Sequence, residues 1–525
     1  MKKLRSWSLL LCGLPVLALA QNTSPTVVIT GMNTALANPL YYSLDYTLAD
    51  LQNDSCEVWL RYSTNGGRSF QPLTASQDVG FPVLTGSRTL LFEHSLLANA
   101  DSIVFRVVAS DRKPMNIQTI VNRVDSNLLR SYIQEIAFPR HYLAQTPQLD
   151  STKDRLARFM QAEGLSPYRQ AFVYNNYLAH NILARKSGHK NDSITYVIDA
   201  HFDGVSQTPG ADDNASGVAG LMEAIRILGD YEFENSLRFI GFDVEEAGLI
   251  GSQRYVAQAI PAYERTAGVI NFEMIGYISQ QINSQTLPAG FGQLFPAVVA
   301  AVQSDSMRGN FIINVGNVPS AVLSAAFDSA AVRYVPGLRV ISLLVPGTGQ
   351  IAPDLRRSDH ARFWDAGLQA LMITDGADTR NLAYHTANDT LARLNMTFMR
   401  RVVQASIGAL ADLAKPMSAG KGDYLYAVPV SVEVHAHKNC DFKLFPSPND
   451  GKFTLQINSC DIPFGPASVR LFSLDGKQQY QAWLASETSH TLAIQLPELG
   501  TGTYLLVVDD GHESWTEKVV VQRSK

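Results

Sequence analysis

At 525 residues the chain exceeds what one hydrophobic core normally holds, so several domains are expected. A hydrophobic content of 46% with 17% charged residues describes folded, soluble protein. A net charge of −5 leaves no basic footprint for nucleic acid.

The chain opens MKKLRSWSLLLCGLPVLALA. Basic Lys2, Lys3 and Arg5 precede an apolar run that ends Ala18-Leu19-Ala20, so residues 1–20 read as a secretory signal peptide cleaved before Gln21. The run is too short to span a bilayer and no other segment approaches that length, so an integral membrane protein is not expected. Three cysteines then remain, Cys56, Cys440 and Cys460. Cys440 and Cys460 are close enough in sequence to pair in an oxidising compartment, which leaves Cys56 as a buried free thiol.

Residues 22–112 contain TVVITG, YYSLDYTL, EVWLRYST and IVFRVVAS, short runs rich in β-branched and aromatic residues. They predict a small β-sandwich of immunoglobulin or fibronectin type. The texture changes near residue 117. Helical patterns occupy 120–136 and 153–164, and apolar runs follow at 195–200, 237–244, 268–274 and 369–375. Near-continuous apolar runs alternating with helices suit strands buried on both faces of a mixed, mostly parallel α/β sheet. The helical texture fades at Lys415-Pro416, and Gly420, Gly422 and Pro429 give 416–439 the look of a linker. From 440 to 525 the chain is β-like again, a second small sandwich.

Ligands of α/β sheets sit beyond the carboxyl ends of the strands. The first apolar run ends in His201-Phe202-Asp203, the second in Glu245-Glu246; the third contains Glu273, and Tyr384-His385 follows the fourth. Asp212 lies eleven residues past His201, in GADDNASG. Carboxylates gathered with histidines suit zinc or a similar divalent ion. Residues i and i+2 of an extended segment share a face, so Asp203 can buttress His201. Adjacent residues diverge, so one of Glu245 and Glu246 can bind metal while the other stays free as a base. Asp212 has two oxygens and can bridge two ions.

Each piece has a plainer explanation when taken alone. GADDNASG is a helix start, with Asn214 or Ser216 as the cap and Val218, Leu221, Met222 and Ile225 on one face. A single HxD or Glu-Glu pair carries little. Glu273 is harder to dismiss, because a carboxylate inside VINFEMI is costly unless paired or metal-bound. Five strand-end positions of ligand type, in workable order, outweigh the separate explanations, and the GADDNASG loop can cap and bind at once.

Taken together, HFD…GADDNASG…DVEEAGLIGS…NFEMIGY…SDHARFW…YHTANDT resembles the M28 family of zinc metallopeptidases over about residues 117–415. The resemblance implies two zinc ions. His201 and Glu273 would hold one, Glu246 and His385 the other, and Asp212 would bridge them. It further implies Glu245 as general base, Asp203 orienting His201, and Tyr384 stabilising the oxyanion. The family usually has aspartate where this chain has Glu273; the extra methylene changes reach but keeps a carboxylate. The intact HxD argues against the single-zinc glutaminyl cyclases of the same fold. His360 of the SDH stretch is expected to support or cap rather than bind metal, and Arg356 and Arg357 to be solvated.

Phe445-Pro446-Ser447-Pro448-Asn449-Asp450-Gly451, then GTYLLV at 502–507 and KVVV at 518–521, resemble the C-terminal sorting domain of type IX secretion substrates. This implies the type IX machinery as a partner and a secreted or cell-surface location. The leading expectation is a secreted di-zinc aminopeptidase acting on peptides. A carboxypeptidase or dipeptidase on the same scaffold, or a surface binding module with an inactive peptidase core, are the alternatives. Whether the N-terminal sandwich binds substrate or only packs on the catalytic domain is open at this level.

Overall fold

The computed structural model describes residues 22–523 except 35–40, 65, 68–69, 94–101, 428–440, 459–466, 474–476, 485–489 and 510–513. The leader at 1–20 therefore lies outside the described residues, as does the pairing expected of Cys440 and Cys460. Cys56 is a buried free thiol. Among the described residues no helix is long and apolar enough to cross a membrane. The chain divides into two units, 1–427 and 428–525.

Strands of the first unit run in chain order β1 (Thr26–Thr34), β2 (Tyr41–Ala49), β3 (Cys56–Ser63), β4 (Gln71–Pro72), β5 (Gly80–Val83), β6 (Gly86–Glu93) and β7 (Ser102–Pro114). The central region adds β8 (Tyr168–Tyr174), β9 (Tyr177–Lys186), β10 (Asn191–His201), β11 (Glu232–Phe233), β12 (Asn235–Phe242), β13 (Arg265–Glu273), β14 (Ile312–Asn317), β15 (Val340–Val345) and β16 (Ala370–Thr374). β17 (Pro416–Ala427) closes the unit.

An eight-stranded sheet in the order β15-β14-β16-β13-β10-β12-β9-β8 forms the central domain. Its middle is parallel: β10 pairs with β12 and β13, and β13 with β16. The β8–β9, β9–β12 and β14–β16 contacts are antiparallel. All four apolar runs read in the sequence are strands of this parallel middle, and β12 and β16 are buried throughout. Burial on both faces is why these runs lack alternation. The helices Gly217–Gly229 and Met396–Ala414 present wide apolar faces to the sheet, with Val218, Leu221, Met222 and Ile225 all buried. The single helix expected over 120–136 is two, Ile117–Val121 and Ser126–Ile136. Asp125 breaks it by capping the second, its side chain accepting from Asn127 N.

The segment expected as a linker at 416–439 is corrected for its first part: 416–427 form β17. This strand runs antiparallel beside β7 along nearly its whole length. One sheet is ordered β11-β17-β7-β3-β4 and the facing one β1-β2-β6. The β-domain is thus begun by residues 26–114 and completed by 416–427, with the whole α/β domain inserted between two neighbouring strands. The glycines that looked like linker residues have another cause. A Cβ at Gly420 would lie 1.8 Å from the Pro25 carbonyl oxygen, and one at Gly422 2.7 Å from that of Val27. They are glycines because another backbone crosses close by. Gly420→Ala is accordingly expected to destabilise the first unit by about 1–3 kcal/mol, as overpacking does, read as a lower melting midpoint with the active site unchanged.

This β-domain docks at the amino ends of β10 and β12. Arg61 Nη1 lies 3.4 Å from His189 Nδ1, Lys421 Nζ donates to Glu232 Oε1 at 3.4 Å, and β17 pairs with β11. Those contacts are at the opposite end of the sheet from His201 and Glu245. Among the described residues the sandwich packs on the α/β domain there and supplies none of those that meet around His201.

The second unit has β18 (Asp441–Phe445), β19 (Lys452–Asn458), β20 (Ala467–Ser473), β21 (Gln478–Leu484), β22 (His490–Gln495), β23 (Gly502–Asp509) and β24 (Ser514–Val521). Sheets β18-β19-β22 and β21-β20-β23-β24 enclose Leu455, Leu471, Leu506, Val508 and Val519.

Candidate metal centre and active site

The carboxyl ends of β10, β12 and β13 bring His201, the Glu245-Glu246 pair and Glu273 to one place. The loop after β16 adds Tyr384 and His385. His201 Nε2 lies 3.3 Å from Glu273 Oε2. His385 Nε2 lies 3.2 Å from Glu246 Oε2. One carboxylate spans these two pairs, and it belongs to Asp213: Oδ1 is 3.4 Å from His201 Nε2 and Oδ2 is 3.0 Å from His385 Nε2.

This corrects the expectation for Asp212. Its carboxylate turns away from the histidines and accepts from Gly276 N at 3.0 Å and Asn381 Nδ2 at 2.8 Å. The backbone decides between the two neighbours. Asp213 and Asn214 leave helical geometry (φ −101°, ψ 94° and φ −128°, ψ 41°), so Asp213 faces the site while Asp212 stays beneath the turn. Asn214 caps the helix that follows: Oδ1 accepts from Gly217 N at 3.1 Å and Met274 N at 3.1 Å, and Nδ2 donates to Phe272 O. The octapeptide is both a helix start and a carboxylate platform.

Supporting contacts fix the other side chains. Asp203 Oδ1 is 3.5 Å from His201 Nδ1, and its two oxygens accept from the backbone N–H groups of Glu245 and Glu246 at 3.0 and 3.2 Å. One residue therefore orients the imidazole and the Glu-Glu turn together. Ser358 Oγ donates to Glu273 Oε2 at 2.7 Å, which gives the serine of the SDH stretch its place. Asp389 accepts from Asp212 N and Asp213 N at 2.9 and 3.0 Å. Lys153 and Asp243, both buried, form a 2.9 Å ion pair just before the Glu-Glu turn. Sequence reasoning assigned no role to Asp213, Ser358, Asp389 or Lys153. Their contacts join distant parts of the chain, and only the adjacency of Asp212 and Asp213 left a trace in the sequence.

His360 is no part of the centre. Its Nε2 is 2.9 Å from Leu355 O, its ring meets Trp364 edge-on, and burial lowers its pKa to about 3. Arg356 is not solvated: its Nη2 donates to both carboxylate oxygens of Asp365, at 2.8 and 2.9 Å. Arg357 pairs with Asp378 and donates to the Tyr384 hydroxyl at 3.1 Å. The Tyr384 ring stacks on His385 with centroids 3.7 Å apart.

The electrostatics fit a cation. Burial raises the Glu246 pKa to about 7, helped by the nearby Asp213 charge and opposed by His385. Glu245 is raised well above the usual carboxylate range, by burial first and then by Glu273 and Glu246, against the pull of His201. Asp213 goes the other way: hydrogen bonds to His201 and His385 outweigh its burial. Burial alone would lower His385, but Asp213 and Glu246 carry it up to about 10. The crowded carboxylates thus draw positive charge to this place, which divalent ions can supply. With ions present both imidazoles can be neutral ligands. Glu246 Oε1, buried and without a hydrogen-bond partner among the described residues, is a further oxygen suited to a cation. One donor atom each from His201, Asp213 and Glu246 lie within 4.8 Å of one another, as do donors of His201, Glu245 and Glu273.

A cleft of about 310 Å³ opens beside Glu273 and Tyr384. Its walls are mostly apolar, among them Leu287, Phe291, Val302, Phe311, Leu343 and Met372. Much of that wall comes from residues 278–368.

Residues 181–410 match peptidase family M28, and residues 443–522 match the secretion system C-terminal sorting domain. The uncharacterized protein YfbL of Escherichia coli strain K12 is 35% identical over 230 residues, 42% of this chain and 67% of its own length. Aminopeptidase YwaD of Bacillus subtilis is 36% identical over 263 residues, 48% of this chain and 50% of its own. Leucine aminopeptidase 1 of Arthroderma otae is 26% identical over 367 residues, 66% and 86% of the two chains. Among solved structures, the aminopeptidase from Aneurinibacillus sp. strain AM-1 superposes with a TM-score of 0.44 at 17% identity, over 57% of this chain and 97% of the other. The sorting domain marks a secreted or cell-surface protein that uses type IX secretion. By its central domain the chain belongs to peptidase family M28 and is a zinc metallopeptidase.

Proposed function

We propose that the protein is a di-zinc aminopeptidase that removes bulky apolar residues from the N-termini of peptides outside the cell. The observation that carries this is the pair of histidine–carboxylate couples spanned by Asp213 at the mouth of an apolar cleft. His201 and Glu273 would hold one ion, His385 and Glu246 the other, with Asp213 between them. When bound, the ions lower the pKa of a water and polarise the scissile carbonyl. Glu245, buried beside His201 at 3.9 Å, takes the proton of the attacking water and passes it to the leaving amine. The Tyr384 hydroxyl, already accepting from Arg357, is left with its own proton to donate to the oxyanion. The cleft takes the side chain of the N-terminal residue, and the carboxylates at its mouth favour a free ammonium group. The relatives named as aminopeptidases support the same reading.

The test uses one peptide in two forms, free and N-acetylated, with and without a chelator, with products read by mass spectrometry. Stepwise loss of N-terminal residues from the free form alone, abolished by the chelator, is expected. Trimming of both forms from the C-terminus would turn the reading to a carboxypeptidase, and no cleavage of either with zinc restored would favour a binding module. Filling the cleft should separate substrates by size. In Met372→Trp, kcat/KM for leucyl and phenylalanyl substrates should fall by about 10- to 200-fold while alanyl substrates change little.

A further inference from the structure

Arg140 is fully buried, yet its guanidinium has no ion pair among the described residues. Among the described residues every hydrogen bond of its guanidinium goes to a backbone carbonyl. Nε donates to Phe202 O at 2.8 Å. Nη1 donates to Pro209 O at 2.7 Å and, at 3.2 Å each, to Ile136 O and Phe138 O. Nη2 donates to Gly210 O at 2.9 Å and lies 3.4 Å from Asp213 O. Ile136 ends the helix that began at Ser126, and Phe138 lies two residues beyond it. Phe202, Pro209, Gly210 and Asp213 span the loop from His201 to Asp213. The loop is drawn so tightly around the guanidinium that Gly210 has φ +58°, and a Cβ there would sit 2.3 Å from Asp213 O and 3.0 Å from both Nη atoms.

A buried cation with only carbonyl partners is costly unless each N–H is satisfied and negative charge lies near. Here the nearby charges are Asp213, Asp389, Asp203 and Glu246, a set drawn from the candidate centre and its supports. The planar fork of arginine can reach carbonyls on several sides at once, whereas a lysine ammonium is a single point. Arg140 also lies outside residues 181–410, in the segment before the family match.

We propose that Arg140 is the positioning residue of the bridging carboxylate. It gathers the 202–213 loop around its guanidinium and so aims Asp213 between His201 and His385 before any metal arrives. The inference rests on the metal-site reading above.

The test compares full-length mature wild type, Arg140→Ala and Arg140→Lys. Zinc affinity is measured by competition with a chromophoric chelator, and folding by thermal melting. Both variants should melt cooperatively and bind zinc about 10- to 100-fold more weakly, the range typical when support of a metal ligand is lost. Added guanidinium ion should restore affinity to Arg140→Ala and leave Arg140→Lys weak. Wild-type affinity in Arg140→Ala, or a loss that guanidinium does not reverse, overturns the proposal. If neither variant folds, the wild type decides by hydrogen exchange. The amides of Asp212, Asp213 and Ala215, bonded to Asp389 and to Gly210 O, should be equally protected with and without zinc. Exchange that is fast until zinc is added would show that the metal, not Arg140, forms the loop. Failure of the wild type to bind zinc would instead count against the metal site itself, and the exchange result would still judge Arg140.

Discussion

Glu245→Gln is expected to lower kcat by about 10²- to 10⁴-fold, the range for loss of a general acid–base group, while zinc content and KM stay near wild type. The geometry separates its role from that of its neighbour. Glu246 Oε2 is 3.2 Å from His385, whereas Glu245 faces His201 at 3.9 Å and accompanies Glu273. Glutamine keeps the shape and removes the proton acceptor. Its backbone N–H still donates to Asp203, so the turn is undisturbed. Steady-state kinetics with metal analysis on the same sample checks this. A large loss of zinc in Glu245→Gln would move Glu245 into the ligand set and leave the base unassigned.

The second large effect distinguishes the two aspartates of GADDNASG. Asp213→Asn should cost more than the about 10- to 100-fold in metal affinity that attaches to supporting residues, because among the described residues Asp213 is the carboxylate within 4 Å of both histidines. Asp212→Asn should fall within that range or below it, because asparagine still offers an oxygen to Gly276 N. Zinc titration of the two variants side by side is decisive: the reverse order of losses would restore Asp212 as the bridge.

That pair also shows where sequence reasoning stops. The positions His201, Glu245, Glu246, Glu273 and His385 were legible because apolar runs reveal buried strands, and sites of α/β sheets form beyond the carboxyl ends of such strands. Choosing between Asp212 and Asp213 was not possible, because it turns on φ and ψ at Asp213 and Asn214. Spacing says nothing of those angles. Gly420 and Gly422 misled for a related reason. A glycine in a loop and one forced by a crossing backbone look alike until Pro25 and Val27 are seen beside them. The insertion of the α/β domain between β7 and β17 was hidden too, since strand pairing over three hundred residues leaves no local pattern. Nothing in the sequence singles out Arg140 or Lys153; their burial and contacts reveal that they support the loops of the site.

The most direct measurement is anomalous scattering at the zinc edge from crystals of the zinc-loaded protein. The account predicts two peaks, one between His201 and Glu273, the other between His385 and Glu246, with the Asp213 carboxylate touching both. A single peak, or a peak held by Asp212, would contradict it.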